Sequence, residues 1–166
     1  MTIENRFMAA YDELAAPILR FAHSRVGNAE VAQDITSEVF FKAWDYVRQG
    51  KDVKNMKSFF YKIASNLIID YYRKKYRTDL PLEAAENKIS KVQGLPEMEI
   101  SAEAEIAREE LNKLPKDYGA VLSYRYIDDL DIKEIAEITG KSRANVYVTI
   151  HRALKLIKKR LEEKEK

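Results

Sequence analysis

The chain has 166 residues, 46% of them hydrophobic and 34% charged, with a formal net charge of +2. That is room for one domain or two small ones, and too mild a charge for its sum alone to demand a polyanionic partner. It has no cysteine, which excludes disulfides, thiolate chemistry and cysteine-ligated metals and fits a reducing compartment. No apolar run reaches the length of a membrane span, and the opening MTIENRFMAAYDE lacks the basic start and apolar centre of a secretion signal, so a soluble, cytoplasmic protein is expected.

The first segment reads as a helix. Met8, Tyr11, Leu14, Ile18, Phe21 and Ala22 recur at three- and four-residue steps, Gly27 supplies a stop, and Pro17 predicts a kink or a late start. Asn28 then caps a second helix from Ala29 to about Val47, whose apolar set is Val31, Ile35, Val39, Phe40, Ala43 and Val47. Glu30, Asp34, Glu38, Phe41 and Asp45 form a separate acidic row with one aromatic in it. Such a row serves either as a solvated face or as a docking surface for a basic partner helix.

Periodicity lapses in RQGKDVKNMK, residues 48–57, which predicts a loop. It leads into SFFYKIASNLIIDYYRKKYR, Ser58 to Arg77, predicted as one helix capped by Ser58. Phe60, Ile63, Ala64, Leu67 and Tyr71 form its expected buried stripe. Lys62, Asn66, Asp70, Arg73 and Arg77 form the opposite polar row, with Tyr61, Tyr72 and Tyr76 set among them. Solvation explains each charge singly; rings interleaved with five cations also suit phosphates and unstacked bases.

From Asp79 to Glu110 nine acids face three bases, and Pro81, Gly94 and Pro96 break the early part into an acidic linker. Helices resume with Ser101 as cap, running to Lys113, then from Pro115 to about Tyr126 with Val121, Leu122, Tyr124 and Ile127 inward. Asp131 and Glu134 form a capping box for IKEIAEIT, Gly140 ends that helix, and Ser142 caps a final one running to about Leu161. Ile135, Ala136, Val146, Ile150 and Leu154 are the expected small core. Helix, glycine turn, helix at this spacing predicts a helix-turn-helix. Residues 141–160 hold seven cations (Lys141, Arg143, Arg152, Lys155, Lys158, Lys159, Arg160) and no acid, which favours a DNA reader over an ordinary helical hairpin.

Three stretches in this order, NAEVAQDITSEVFFKAW, SFFYKIASNLIIDYYRKK and LPKDYGAVLSYRYIDDLDIKEIAEITGKSRANVYVTIHRALKLIKKRL, resemble the bacterial sigma-70 family. The likeness is to its group four members, the extracytoplasmic-function type. It implies an all-α fold of two small helical domains: an N-terminal sigma-2-like bundle over 1–78 and a C-terminal sigma-4-like helix-turn-helix over 102–166, joined by the acidic linker 79–101. The implied function is that of a dissociable initiation subunit which binds core RNA polymerase, recognises the −10 and −35 promoter elements and assists melting. Asp34, Glu38 and Phe41 then become contacts to the coiled-coil of the β′ clamp, although the family often has glutamine where this chain has Ser37. Lys54, Asn55 and Lys57 become contacts to a base flipped from the −10 region, with Lys62, Asn66, Arg73 and Lys74 following along the strand. The helix-turn-helix is implied to read the −35 element and to pack on the β flap. An anti-sigma protein is implied as a further partner.

One stretch departs from the family. Members commonly have threonine, valine, lysine, serine and arginine where this chain has Asn145, Val146, Tyr147, Val148 and Thr149. Base readout then leans on Ser142, Arg143, Asn145 and Tyr147, with Arg152 and Lys155 left for phosphates, and an unusual or weak −35 preference is expected. The alternative from another class is a stand-alone helix-turn-helix regulator that binds duplex DNA without polymerase. No enzyme is expected. His23 and His151 lie in different modules, no metal-ligand spacing is present, and Asp34 with Glu38 on one exposed face is a poor acid/base pair; no catalytic residue, metal or cofactor is assigned.

Overall fold

The computed structural model describes residues 1–75 and 102–165. The linker, the Ser101 cap, Tyr76 and Arg77 lie outside the described residues. All regular structure among the described residues is helical, in line with the all-α expectation. The chain divides into two compact units, Met1–Ile89 and Ser90–Lys166.

The N-terminal unit is three helices, each packed on the other two: α1 (Ile3–Val26), α2 (Ala29–Arg48) and α3 (Met56–Lys75). Local chemistry sets their ends. The Thr2 side chain accepts the Asn5 N–H, and Gly27 closes α1 in the left-handed region at φ 68°. Asn28 then caps α2 by accepting the Val31 N–H at 3.0 Å. Pro17 neither breaks α1 nor delays its start, for the helix runs through it from Ile3.

Aromatic rings fill the centre. Phe60 meets Phe40 edge-on at 5.0 Å and Phe7 at 5.7 Å, Tyr11 meets Phe40 at 4.7 Å, and Tyr61 meets Phe21 at 5.0 Å. These contacts correct two expectations for α3. The helix starts two residues early, at Met56, and Ser58 is buried inside it; Asn55 is the cap, its side chain accepting the Ser58 N–H at 3.0 Å. The buried face is Phe60, Tyr61, Ala64, Ser65, Ile68, Ile69 and Tyr72, with Ile63, Leu67 and Tyr71 only half-buried. That is a rotation of roughly 100° from the expected stripe, about one residue's turn. Tyrosine causes it, being an apolar ring with a polar tip: Tyr72 goes inside because its hydroxyl donates to the Arg25 carbonyl. Arg25 is itself buried, its guanidinium 4.1 Å from the centre of the Phe21 ring and donating to the Ser24 hydroxyl at 2.8 Å.

The C-terminal unit comprises α4 (Ala102–Lys113), α5 (Lys116–Leu122), a π-helical turn over Ser123–Ile127, α6 (Ile132–Thr139) and α7 (Arg143–Lys164). Gly119 lets α4 and α5 approach closely: a β-carbon there would stand 3.0 Å from the Leu111 carbonyl oxygen. Val121, Leu122, Tyr124, Ile135, Ala136, Val146 and Ile150 are buried as expected, but Ile127 and Leu154 are exposed. The π turn moves Ile127 out of phase and brings in Leu130, which is fully buried.

Glu110, the last of the nine acids counted between 79 and 110, is buried on α4 and ties it to the end of α7. Lys164 lies 2.6 Å, Arg160 2.9 Å and Lys113 3.5 Å from its carboxylate. Hydrogen bonds from Lys164 and then Arg160 hold the carboxyl down, from its ordinary 4.5 to about 2. A depressed folded value means that the stabilisation is complete above the unfolded value and lost as pH falls through the folded one. Glu110→Gln is therefore expected to lower the melting temperature at pH 7, and the gap from wild type to close between pH 4.5 and about 2. Circular dichroism melts across that range check it; a gap that ignores pH counts against the ion cluster.

Candidate nucleic-acid interface

On α2 the acidic row stands out from the bundle. Glu30, Asp34 and Glu38 are exposed, and Phe41 shows 70% of its surface, while its neighbour Phe40 is in the core. Exposing a phenylalanine ring on a bundle that has an apolar interior to offer it costs about 1.5–3 kcal/mol of forgone burial. Glu38 pairs with Lys42 within the helix at 3.8 Å. Asp45 turns the other way, holding Arg48 at 2.8 Å and Gln49 at 3.2 Å and so closing the helix end.

The loop from Gln49 to Asn55 is anchored rather than free. Val53 is buried, its carbonyl accepts from Arg6 at 2.8 Å, and Arg6 also lies 3.7 Å from Asp52. Gly50 makes the sharp turn at φ 83°. Lys54 is left exposed, Lys57 is half-buried and Asn55 is occupied in capping α3. Beside the loop, Tyr46 and Phe59 pack ring to ring at 5.0 Å, both partly open, with Lys51 4.8 Å from the Tyr46 ring centre. Sequence periodicity misses this pair, because neither residue falls on a stripe; the only signal was an aromatic on each side of a basic loop.

Along α3, Lys62, Asn66 and Asp70 are exposed one turn apart, Lys74 follows, and Arg73 is half-buried. The corrected rotation leaves this row outward. The loop end and the α3 row thus share one unit, whose open surface carries cations, amides and two partly open rings, suited to a nucleic-acid strand.

In the C-terminal unit the helix-turn-helix is built as its spacing predicted. Asp131 accepts the Glu134 N–H at 2.7 Å, Gly140 turns at φ 75° with its N–H on the Ala136 carbonyl at 2.9 Å, and Ser142 accepts the Asn145 N–H at 3.1 Å. Of the seven cations between 141 and 160, two face protein: Lys141 lies 3.5 Å from Asp117, and Arg160 holds Glu110. Arg143, Arg152, Lys155, Lys158 and Lys159 are exposed, as are Ser142, Asn145 and Tyr147. Asn145 is partly committed, its side-chain oxygen accepting from Thr149 at 3.2 Å. His151, passed over in the sequence because no catalytic partner stood near it, is exposed on the same arc as Tyr147.

Comparison with known proteins agrees with this geometry. Residues 10–78 match the family described as Sigma-70 region 2, and residues 104–157 the one described as Sigma-70, region 4. The chain is 32% identical over 146 residues to RNA polymerase sigma factor SigV of Bacillus subtilis, covering 88% of this chain and 85% of that protein. The chain belongs to the sigma-70 family of RNA polymerase sigma factors.

Within that family its relatives include the B. subtilis factor YlaC, 30% identical over 96% of this chain and 92% of the relative, and the ECF factor SigW of the same organism, 28% identical over 96% and 91%. The fold resembles that of the sigma factor RpoE, solved with the anti-sigma factor NepR from Bartonella quintana, with a TM-score of 0.65 at 18% identity over 95% of this chain and 97% of that one. The region 2 match contains the acidic row, the anchored loop and α3; the region 4 match contains the helix-turn-helix. No helix of the sigma factor among the described residues is long and apolar enough to cross a membrane.

Asn55 separates two roles by substitution. Asn55→Ala is expected to cost about 1 kcal/mol of stability through the lost cap, and Asn55→Ser to restore most of it. Chemical denaturation of the three proteins checks this; equal midpoints for Ala and wild type would mean that the cap contributes nothing.

Proposed function

We propose that this sigma factor works as a dissociable subunit that first grips core RNA polymerase, then reads a bipartite promoter and traps the melted strand. The observation that carries the reading is the acidic row of α2, with Phe41 open to solvent, on the same unit as the polar row of α3 and within the region 2 match. Asp34, Glu38 and Phe41 dock on the coiled-coil of the β′ clamp by pairing charge around an apolar anchor. Lys54, Lys57, Lys62, Asn66, Arg73 and Lys74 follow the −10 strand, and Tyr46 with Phe59 offer rings beside the loop. Asn55 acts chiefly by shaping that loop. The helix-turn-helix of α6 and α7 takes the −35 element and the β flap, with domains over 1–78 and 102–166 and the linker 79–101 between them.

Energetics favour this division of labour. Opening duplex DNA costs about 1.4 kcal/mol of stacking per base-pair step, and each base stacked on a protein ring returns about 1–3 kcal/mol. A few captured bases suffice once polymerase holds the factor in place, and no covalent chemistry by the chain is needed. The factor works in the cytoplasm, where core polymerase is. An anti-sigma protein is a further partner, on the strength of the RpoE relative having been solved with one.

Glu38→Lys is expected to weaken binding to core polymerase at least tenfold with an unchanged melting temperature; unchanged affinity in a pull-down removes the docking role. Lys57→Ala and Asn66→Ala are expected to reduce permanganate reactivity of the −10 strand more than closed-complex retention on filters. Equal losses in the two assays would mean that these residues hold duplex rather than melted DNA. Tight specific binding of promoter duplex by the chain without polymerase, read by mobility shift, would favour a stand-alone regulator.

A further inference from the structure

The second helix of the helix-turn-helix presents an unusual face. Between Arg143 and Arg152 its exposed side chains are Ala144, Asn145, Tyr147, Val148 and His151, with no lysine or arginine among them. Val146, Thr149 and Ile150 of the same stretch are buried and play no part outside. Ala144 and Val148 lie one turn apart on one row, and Tyr147 lies beside them on the next. Tyr147 is 63% exposed and Val148 42%, so the centre of the face shows water an apolar surface.

The two side chains best suited to hydrogen-bond readout are drawn into the helix start. Ser142 accepts the Asn145 N–H at 3.1 Å, and the Asn145 oxygen accepts from Thr149 at 3.2 Å. Cations bracket what remains: Arg143 stands before the apolar patch, and Arg152 and Lys155 stand after it, all exposed. From Arg143 to Arg152 the helix rises about 13 Å at 1.5 Å per residue, roughly four base-pair steps at 3.4 Å each. An apolar centre flanked by phosphate-binding groups at that span fits a major groove whose floor is itself apolar at the point of contact. Thymine is the base that meets this condition, through its C5-methyl. Against any other base edge, Ala144 and Val148 would cover donors and acceptors without satisfying them.

We propose that α7 selects its duplex site by contact between Val148, Ala144 and the Tyr147 ring and the C5-methyl groups of thymines, with Arg143 and Arg152 holding the flanking phosphates. The inference rests on the promoter-binding reading above and adds the chemical class of base that this surface takes.

Deoxyuridine in place of thymidine deletes the methyl and nothing else, so it tests the contact directly. The full chain, bound to bacterial core RNA polymerase, is first used to select its preferred upstream duplex from a promoter library. Each thymidine of that element is then replaced singly by deoxyuridine. One or more positions are expected to lose roughly fourfold in affinity, the equivalent of one buried methyl group. Val148→Ser or Tyr147→Ala is expected to bring the ratio between the two duplexes at that position close to one, with the melting temperature unchanged because both residues are exposed. Arg152→Ala is expected to weaken both duplexes alike. Sequence-specific upstream binding that is indifferent to every thymidine-to-deoxyuridine change overturns the inference alone, as does full methyl discrimination by both Val148→Ser and Tyr147→Ala. Absence of any upstream sequence preference overturns the promoter reading of α7, and this inference with it.

Discussion

The burial of Tyr61 against Phe21 and of Tyr72 on the Arg25 carbonyl decides how α3 is turned, and most of what the N-terminal unit offers a partner follows from that turn. Phe60, edge-on to Phe7 and Phe40, is buried in either orientation, and the two tyrosines set the rest of the inner face beside it. Lys62, Asn66 and Asp70 are then left outside on a continuous row. A further rotation of α3 in the same sense by one residue, about 100°, would carry that row toward the packed side. Core packing and surface chemistry are therefore one constraint in this unit.

The same economy shapes the loop between α2 and α3. Polar residues in and around it are spent on holding shape: Arg6 fixes the Val53 carbonyl, Asp45 gathers Arg48 and Gln49, and Asn55 caps the next helix. What remains open, chiefly Lys51, Lys54 and the partly open Tyr46 and Phe59 rings, is presented on a scaffold that needs little ordering when a ligand arrives. In the C-terminal unit Glu110 does the comparable work by gathering Lys113, Arg160 and Lys164, and so removes some of the basic residues near the end of α7 from the surface available to phosphates.

In the function proposed above, a sigma factor built this way supplies binding energy to the polymerase and the promoter. Its α2 row offers charge around one exposed ring, its α3 row offers cations and amides, and its α7 face offers apolar side chains between cations. Each surface is modest alone. In that proposed function, polymerase bound by the first holds the other two at high effective concentration, so that weak individual contacts add up to site selection.

Helix ends were legible because each is decided within a few residues: Asn28, Gly27, Asp131, Gly140 and Ser142 cap or terminate helices through bonds to their own neighbours. The acidic row of α2 and the helix-turn-helix were legible for the same reason, since spacing alone puts residues on a common face. The burial of Tyr61, Tyr72 and Arg25, the capping role of Asn55 and the ion cluster at Glu110 were not. Tyrosine, arginine, asparagine and glutamate are stable either in water or in a packed, hydrogen-bonded site, so their own chemistry leaves the choice open. Glu110 read as one more acid of the acidic stretch 79–110, on a helix with no partner assigned, until Arg160, fifty residues away, was brought against it. Periodicity and local bonds determined where the helices are and which charges line up; only the packing of one helix on another decided which of the amphipathic side chains face the partner and which hold the protein together.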